Sequence, residues 1–332
     1  MQIAFYLPQF YPTPYNDEWW GVGFTEWRNV LRASILYEGH LQPRIPADLG
    51  YYDLQHREIR NKQAKLALAY GIDGFAIWHY WFPGQKWVNP LSVPLKGILD
   101  DKGWPGKLCL AWANESWQGK WHGLAQGKTL LTQEYLDVDR HFSVLEAAFR
   151  DTRYIRIDGQ LLFLVKNPLD VPSEYLFALR DKAAPLGGLF IVGELDTRDG
   201  SKVTNLGLDG YYVSKMPGVS GFNQLPTKLD VTYTTEEKPD VFDYGSVKFV
   251  EDNHKRFFPC ISCGFDNTPR CNGDGVVLHG AIPELFQENI RDAKSLRRSI
   301  VFYKSWNEWA EGNYLEPDQY FGKSFLEKVR DA

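Results

Sequence analysis

Residues 299–312 read SIVFYKSWNEWAEG, and the stretch changes character halfway along. Ile300, Val301, Phe302 and Tyr303 form the near-continuous apolar run expected of a strand buried on both faces of a parallel sheet. Asn307, Glu308 and Glu311 then arrive between and beside Trp306 and Trp309. In a barrel of parallel strands the chemistry sits where the strands end, at the C-terminal rim, so this break marks a strand running into a site.

Seven other runs have the same form: QIAFYLPQ (2–9), GFAIWHYW (74–81), KLCLAWAN (107–114), QLLFLVKN (160–167), LFIVGEL (189–195), DGYYVSK (209–215) and FFPCISCGFDN (257–267). With 299–309 they make eight candidate strands. Segments of helical periodicity lie between them, over 58–70, 91–101, 133–150, 173–184, 198–206, 242–253 and 282–297. In the clearest, Thr132 stands as an N-cap and apolar residues recur every three or four positions. Eight strands alternating with helices over 332 residues predict an α/β fold, a single-domain (β/α)8 TIM barrel spanning 1–332 with long loops at its C-terminal face. The rival, an open doubly wound sheet, lacks a Gly-rich G-x-G-x-x-G turn after its first strand. The first connection, about 10–57, is far longer than a usual βα loop and reads as a functional loop or lid.

Composition narrows the partners. A net charge of −5 gives no basic field for a phosphate backbone, so no nucleic acid is expected. No run of about 18 apolar residues offers a membrane span. The N-terminus MQIAFYLPQFYP has no signal-peptide pattern, which predicts a cytoplasmic location unless the chain belongs to a longer polypeptide or is exported by another route. Cys260, Cys263, Cys271 and His279 could be read as a zinc site, but Cys260 and Cys263 share one strand-like run and residues three apart there point to opposite faces. No metal and no cofactor are expected. Aromatic residues make up 15% of the chain, with 12 Trp, and many tryptophans stand beside polar residues, as on stacking surfaces.

Polar residues and rings recur at the ends of the candidate strands. Strand one carries Tyr6 and runs into Gln9, then Glu26 and Trp27; strand two ends in Trp78, His79 and Tyr80; strand three in Asn114, Glu115 and Trp117. Strand four delivers Lys166, strand five Glu194, strand seven Asp266, Asn267 and Arg270, and strand eight Asn307, Glu308, Trp309, Glu311 and Glu316. Carboxylates and amides bind hydroxyl groups, and indole faces cover the C–H face of a pyranose, so the rim suits a neutral sugar. Residues three apart in a helical turn share a side, about 5–6 Å apart at Cβ, which would aim Glu308 and Glu311 at one substrate. Glycoside hydrolysis uses two carboxyls, one protonated and one ionised, and burial against indoles would separate their pKa values. The same pair would also suit a solvated helix start, where acids favour the dipole.

AFYLPQFYPTPYNDEWWGVGFTEWRNV, DGFAIWHYWF, WANESW, YIRIDGQLLFLVKNP, FDNTPR and SWNEWAEGNYLEPD together resemble the WbsX-like proteins of bacterial polysaccharide loci, relatives of glycoside hydrolase family 99. The resemblance runs from Ile3 to about Asp318. It implies a (β/α)8 barrel, retention of configuration and no metal, with Glu308 on the base side and Glu311 as general acid. It also implies an unusual route in which the base-side carboxylate deprotonates the sugar's own 2-hydroxyl, whose oxygen then attacks the anomeric carbon. Such a route needs a 2-hydroxyl trans to the leaving group, as in α-manno or α-rhamno sugars. Family 99 usually has histidine where this chain has Ala310, which leaves the sugar itself open.

The expected activity is therefore retaining hydrolysis of an α-linked bacterial surface polysaccharide or oligosaccharide. The remaining rim residues, Tyr6, Gln9, Trp27, Trp78, His79, Tyr80, Asn114, Glu115, Trp117, Lys166, Glu194, Asp266, Asn267, Arg270, Asn307, Trp309 and Glu316, are expected to bind substrate. Glu115, in an Asn-Glu pair at a strand end, also resembles the acid/base of glycosidases that form a covalent glycosyl-enzyme. The alternatives are a glycosyltransferase of polysaccharide biosynthesis and a non-catalytic carbohydrate-binding protein.

Overall fold

A computed structural model describes residues 1–119, 128–195, 200–215, 226–250 and 252–332. Eight parallel strands form a nearly closed barrel: β1 (Gln2–Tyr6), β2 (Gly74–His79), β3 (Lys107–Trp112), β4 (Gln160–Val165), β5 (Leu189–Glu194), β6 (Gly210–Tyr212), β7 (Cys260–Ser262) and β8 (Val301–Lys304). They pair in the order β7-β8-β1-β2-β3-β4-β5-β6, with Ala4 opposite Tyr303 and Tyr6 opposite Ile77 on either side of β1. The seam between β6 and β7 is spanned by one short bridge. There Tyr211 N donates to Arg256 O at 2.9 Å and Phe258 N to Tyr211 O at 2.8 Å. A Cβ at Gly210 would lie 2.4 Å from the Phe258 ring, so the seam closes only over glycine.

Inside the barrel the Phe5 ring stacks on Trp78 at 4.9 Å and packs against Tyr212 at 5.5 Å and Phe302 at 5.8 Å. These rings form the floor beneath the C-terminal face. Alternation along each strand then sorts the rim. Phe5 faces inward, while the Tyr6 hydroxyl turns outward and donates to Gln63 Oε1 at 2.8 Å, on the helix Arg57–Ala69. Trp78 faces inward, while His79 turns outward to His141 on the helix Val138–Phe149, their Nε2 atoms 3.0 Å apart.

Helices over Arg57–Ala69, Val93–Asp100, Ser173–Ala183 and Pro283–Ser295 follow the periodicity, and Gly200–Asn205 takes up the described part of 198–206. Two expectations need correction. The helix expected over 133–150 starts at Val138, capped by Asp137, whose Oδ1 accepts from Arg140 N at 3.1 Å. Thr132 caps nothing, because the preceding Thr129–Leu131 is drawn into a ribbon with Trp117–Gln118. The described residues of 242–253 form no α-helix. Asp240–Asp243 pairs with Val276–His279 in a three-stranded sheet completed by Phe265–Asp266, and only a 3-10 turn, Tyr244–Ser246, follows. Tyr244, Val247 and Phe249 bury in the main core, so their spacing reflects burial along a turn and a loop. No helix among the described residues is long and apolar enough to cross a membrane.

Burial pushes His79 down to about 3, and holds His141, with His79 beside it, well below the usual histidine range. The Cε1–H resonances of both rings are therefore expected not to titrate between pH 8 and pH 5 in NMR spectra; a midpoint near 6.5 for either would contradict this placement.

Candidate functional site

After β8 the chain forms a tight hairpin. Asn307 and Glu308 pair antiparallel with Tyr314 and Asn313 around a 3-10 turn, Trp309–Glu311. Gly312 closes the turn at φ 58°, and a Cβ there would lie 2.8 Å from the Asp266 Cβ. Asn307 fastens the hairpin to the end of β1, its Oδ1 accepting from Leu7 N at 2.7 Å and its Nδ2 donating to Leu7 O at 2.9 Å. Behind the turn, Trp309 Nε1 at 2.6 Å and the Tyr52 hydroxyl at 2.8 Å donate to Glu316 Oε2, and Gln63 Nε2 donates to Oε1 at 2.7 Å. Burial pushes the Glu316 carboxyl up to about 7, against the pull of those donors.

In front of the hairpin, one guanidinium gathers three glutamates. Arg270 lies on the short helix Thr268–Cys271; its Nε and Nη2 donate to Glu26 Oε2 at 3.2 and 3.0 Å, its Nη1 donates to Glu311 Oε1, and its Nη2 lies 3.6 Å from Glu308 Oε2. Burial opposes the Arg270 charge, yet Glu26, Glu311 and Glu308 together raise its pKa. Glu308 also accepts from Trp78 Nε1 at 3.2 Å. Burial first, and then the Glu311 charge, push Glu308 up to about 8, with Arg270 pulling the other way. The pair therefore holds a proton through neutral pH, with the buried Glu308 as its seat and Glu311 on the arginine.

These groups line a cavity of about 440 Å³ at the C-terminal face. Two further ion pairs lie in it or beneath it. Lys166 is paired with Glu115, whose pKa burial raises but Lys166, Asn167 and Lys304 together hold below the usual value. Lys304 Nζ lies 3.4 Å from Glu194 Oε2, which also accepts from the Tyr212 hydroxyl at 2.9 Å. Aromatic walls complete the cavity. Trp20 and Tyr80 line it, and Trp117 meets Tyr80 edge-on at 5.1 Å.

Of the residues singled out in the sequence, Gln9, Trp78, Tyr80, Glu115, Trp117, Lys166, Arg270, Glu308 and Glu311 come together around this cavity. Others lie outside its lining. Tyr6 and His79 face the helices, and Asn114 turns away from Glu115 to hold Asn167, accepting from its N at 2.8 Å. Trp27 and Trp309 pack on each other at 5.6 Å behind the hairpin, with Asn307 and Glu316. Glu194 lies with Lys304 in the barrel interior. Asn267 Oδ1 accepts from Val276 N at 2.7 Å, and Asp266 accepts from His40 Nε2 and Gln42 Nε2 at 2.8 and 2.7 Å on the far side of the hairpin. Sequence reasoning missed Lys304 and Asn313 and gave Glu26 no role. Lys304 was legible, being two residues from the inward Phe302. Among the described residues no three or more His, Cys, Asp and Glu side chains group as metal ligands.

The Glu308 proton has a consequence for stability. A carboxyl near 4.5 in the unfolded chain and about 8 in the fold stabilises the fold fully below about pH 4.5 and loses that contribution as pH rises through 8. Glu308→Gln removes the titration. Its unfolding free energy relative to wild type is expected to improve steadily from pH 5 to pH 8 in urea melts, and a constant difference would contradict the raised pKa.

Comparisons with known proteins match this architecture. The family described as Glycosyltransferase WbsX matches residues 2–329. The uncharacterized protein WxcX of Xanthomonas campestris pv. campestris (strain B100) is 34% identical over 99% of this chain and 49% of its own length, so the chain spans about half the length of the curated relatives it matches. Among solved structures, the GH99 endo-alpha-mannosidase from Bacteroides thetaiotaomicron in complex with BIS-TRIS-propane aligns with a TM-score of 0.63 at 14% identity, over 99% of this chain and 95% of that one. A glycoside hydrolase-like protein aligns at 0.61 and 12% identity, over 99% and 92%. At such identities the likeness is one of fold, a glycoside-hydrolase-like barrel.

Proposed function

The chain belongs to the WbsX family, and from that premise we propose that it is a retaining glycoside hydrolase acting on an α-linked, manno- or rhamno-configured sugar of a bacterial surface polysaccharide or oligosaccharide. The observation that carries this reading is the Glu308 and Glu311 pair at the barrel mouth, one carboxyl buried beside Trp78 and the other on Arg270.

The chemistry follows the route implied by the resemblance. A sugar 2-hydroxyl donating to Glu308 favours its ionised form, so substrate binding moves the shared proton to Glu311 as Arg270 Nη1 releases that carboxyl and the guanidinium stays on Glu26. Glu308 then takes the 2-hydroxyl proton while O2 bonds to the anomeric carbon. Glu311 delivers its proton to the departing glycosidic oxygen as that bond breaks. Water opens the epoxide-like ring at the anomeric carbon, giving one proton to Glu311, while Glu308 returns its proton to O2. Retention results from the two inversions.

The family's description favours a second reading, glycosyl transfer. Against it, Arg270, Lys166 and Lys304 each already lie against a carboxylate, so among the described residues the cavity lining offers no unmatched cation to a nucleoside diphosphate. Aryl α-D-mannoside, aryl α-L-rhamnoside and bacterial surface polysaccharides are expected to be cleaved with an α-configured first product by NMR. A nucleotide-sugar is expected to leave the melting temperature unchanged. No cleavage together with stabilisation by a nucleotide-sugar would replace hydrolysis with transfer.

A further inference from the structure

A second cavity, of about 240 Å³, backs onto the hairpin that carries the glutamates. Side chains alternate between the two spaces. Glu311 and Asn313 face the first, whereas Gly312 and Tyr314 face the second. Arg44 lines the second cavity, with 16% of its side chain exposed. Its buried Nε has no hydrogen-bond partner, and the one carboxylate within 4 Å among the described residues, Asp318, stands 3.7 Å from Nη1, beyond hydrogen-bond reach.

The neighbouring acids are occupied elsewhere. Asp318 accepts from the Tyr314 hydroxyl at 2.6 Å and from the backbone N of Tyr320 and Phe321 at 2.9 and 2.6 Å. Asp266 is held by Gln42, by Thr268 and by His40, whose Nδ1 accepts from Leu36 N at 3.1 Å, leaving Nε2–H to donate. Arg44 meets the Tyr314 hydroxyl, but its buried Nε–H is left without an acceptor, and a guanidinium so placed suits an oxyanion. Beside it the Phe321 ring lies under the guanidinium at 5.9 Å, and Tyr320, 68% exposed, forms an aromatic rim. The volume is below the roughly 300–1,000 Å³ of drug-sized pockets, which suits one small ring.

We propose that this cavity binds a single acidic sugar residue, a uronic acid, with its carboxylate on the Arg44 fork and its ring against Tyr320. The site does not rest on the hydrolytic reading of the first cavity. The test is titration of the full chain with D-glucuronate, D-glucose and inorganic phosphate, reading the Arg44 Nε–Hε NMR signal, which Arg44→Met assigns by its loss, together with calorimetric affinity. Glucuronate is expected to shift that signal and bind at least tenfold more tightly than glucose, and Arg44→Met to abolish the difference. Tyr320→Asp, at an exposed position, is expected to weaken glucuronate about tenfold with the melt unchanged, which keeps the test open if Arg44→Met fails to fold. Equal affinity for glucose, or glucuronate binding that survives both variants, would overturn the proposal. Phosphate binding as tightly as glucuronate would reduce the site to an oxyanion hole and overturn its sugar preference.

Discussion

Glu308→Gln and Glu311→Gln are each expected to lower kcat on an unactivated α-linked glycan by about 10²–10⁴-fold, the range for loss of a general acid or base. Glutamine keeps the shape of both side chains, so Trp78 Nε1 can still donate at position 308 and Arg270 still meets Glu26. Affinity for the glycan, measured by calorimetry, is therefore expected to change only a few-fold. A binding protein without catalysis would show no turnover in wild type, and a pair with only structural roles would lose stability and activity together.

Arg270→Met is expected to have the largest effect on stability, on the order of 3–5 kcal/mol, because it strands buried carboxylates without their counter-ion. Glu26 is 1% exposed and Glu308 8%, so neither can rehydrate in place. The sign with pH follows. Without the arginine Glu308 loses the one charge that pulls its raised pKa down most strongly and rises further above its unfolded value, so the variant's deficit is greatest at high pH and narrows as pH falls toward about 4.3. Arg270→Lys restores charge without the fork and is expected to recover only part of the loss. A deficit below about 1 kcal/mol, or one independent of pH, would mean that the three carboxylates do not depend on Arg270.

The barrel was legible because its strands are buried on both faces, so β4, with Leu161 to Val165 all buried, has little alternative in water. The rim was legible only in part, because a polar residue at a strand end reads as a site residue whichever way it points. Alternation sends Trp78 and Tyr80 inward and His79 to a helix, and sends Glu115 inward and Asn114 sideways. Counting parity from Phe5 and Trp78 would have separated these and would have brought in Lys304. The Arg270 clamp had no such signal. Glu26 comes from the long first loop, 244 residues away along the chain, and only tertiary packing brings the two together. The helix expected over 242–253 is missing for a related reason, since burial of Tyr244, Val247 and Phe249 in the main core spaces its apolar residues in a helix-like way.

The most direct measurement of the central claim is the leaving-group dependence of Glu311→Gln. An activated aryl glycoside needs no proton from an acid, so the account predicts that this variant recovers most of its kcat/KM on the activated substrate, while Glu308→Gln, lacking the base, stays impaired on both. Equal impairment of Glu311→Gln on activated and unactivated substrates, or rescue of Glu308→Gln in its place, would contradict the assignment of acid and base.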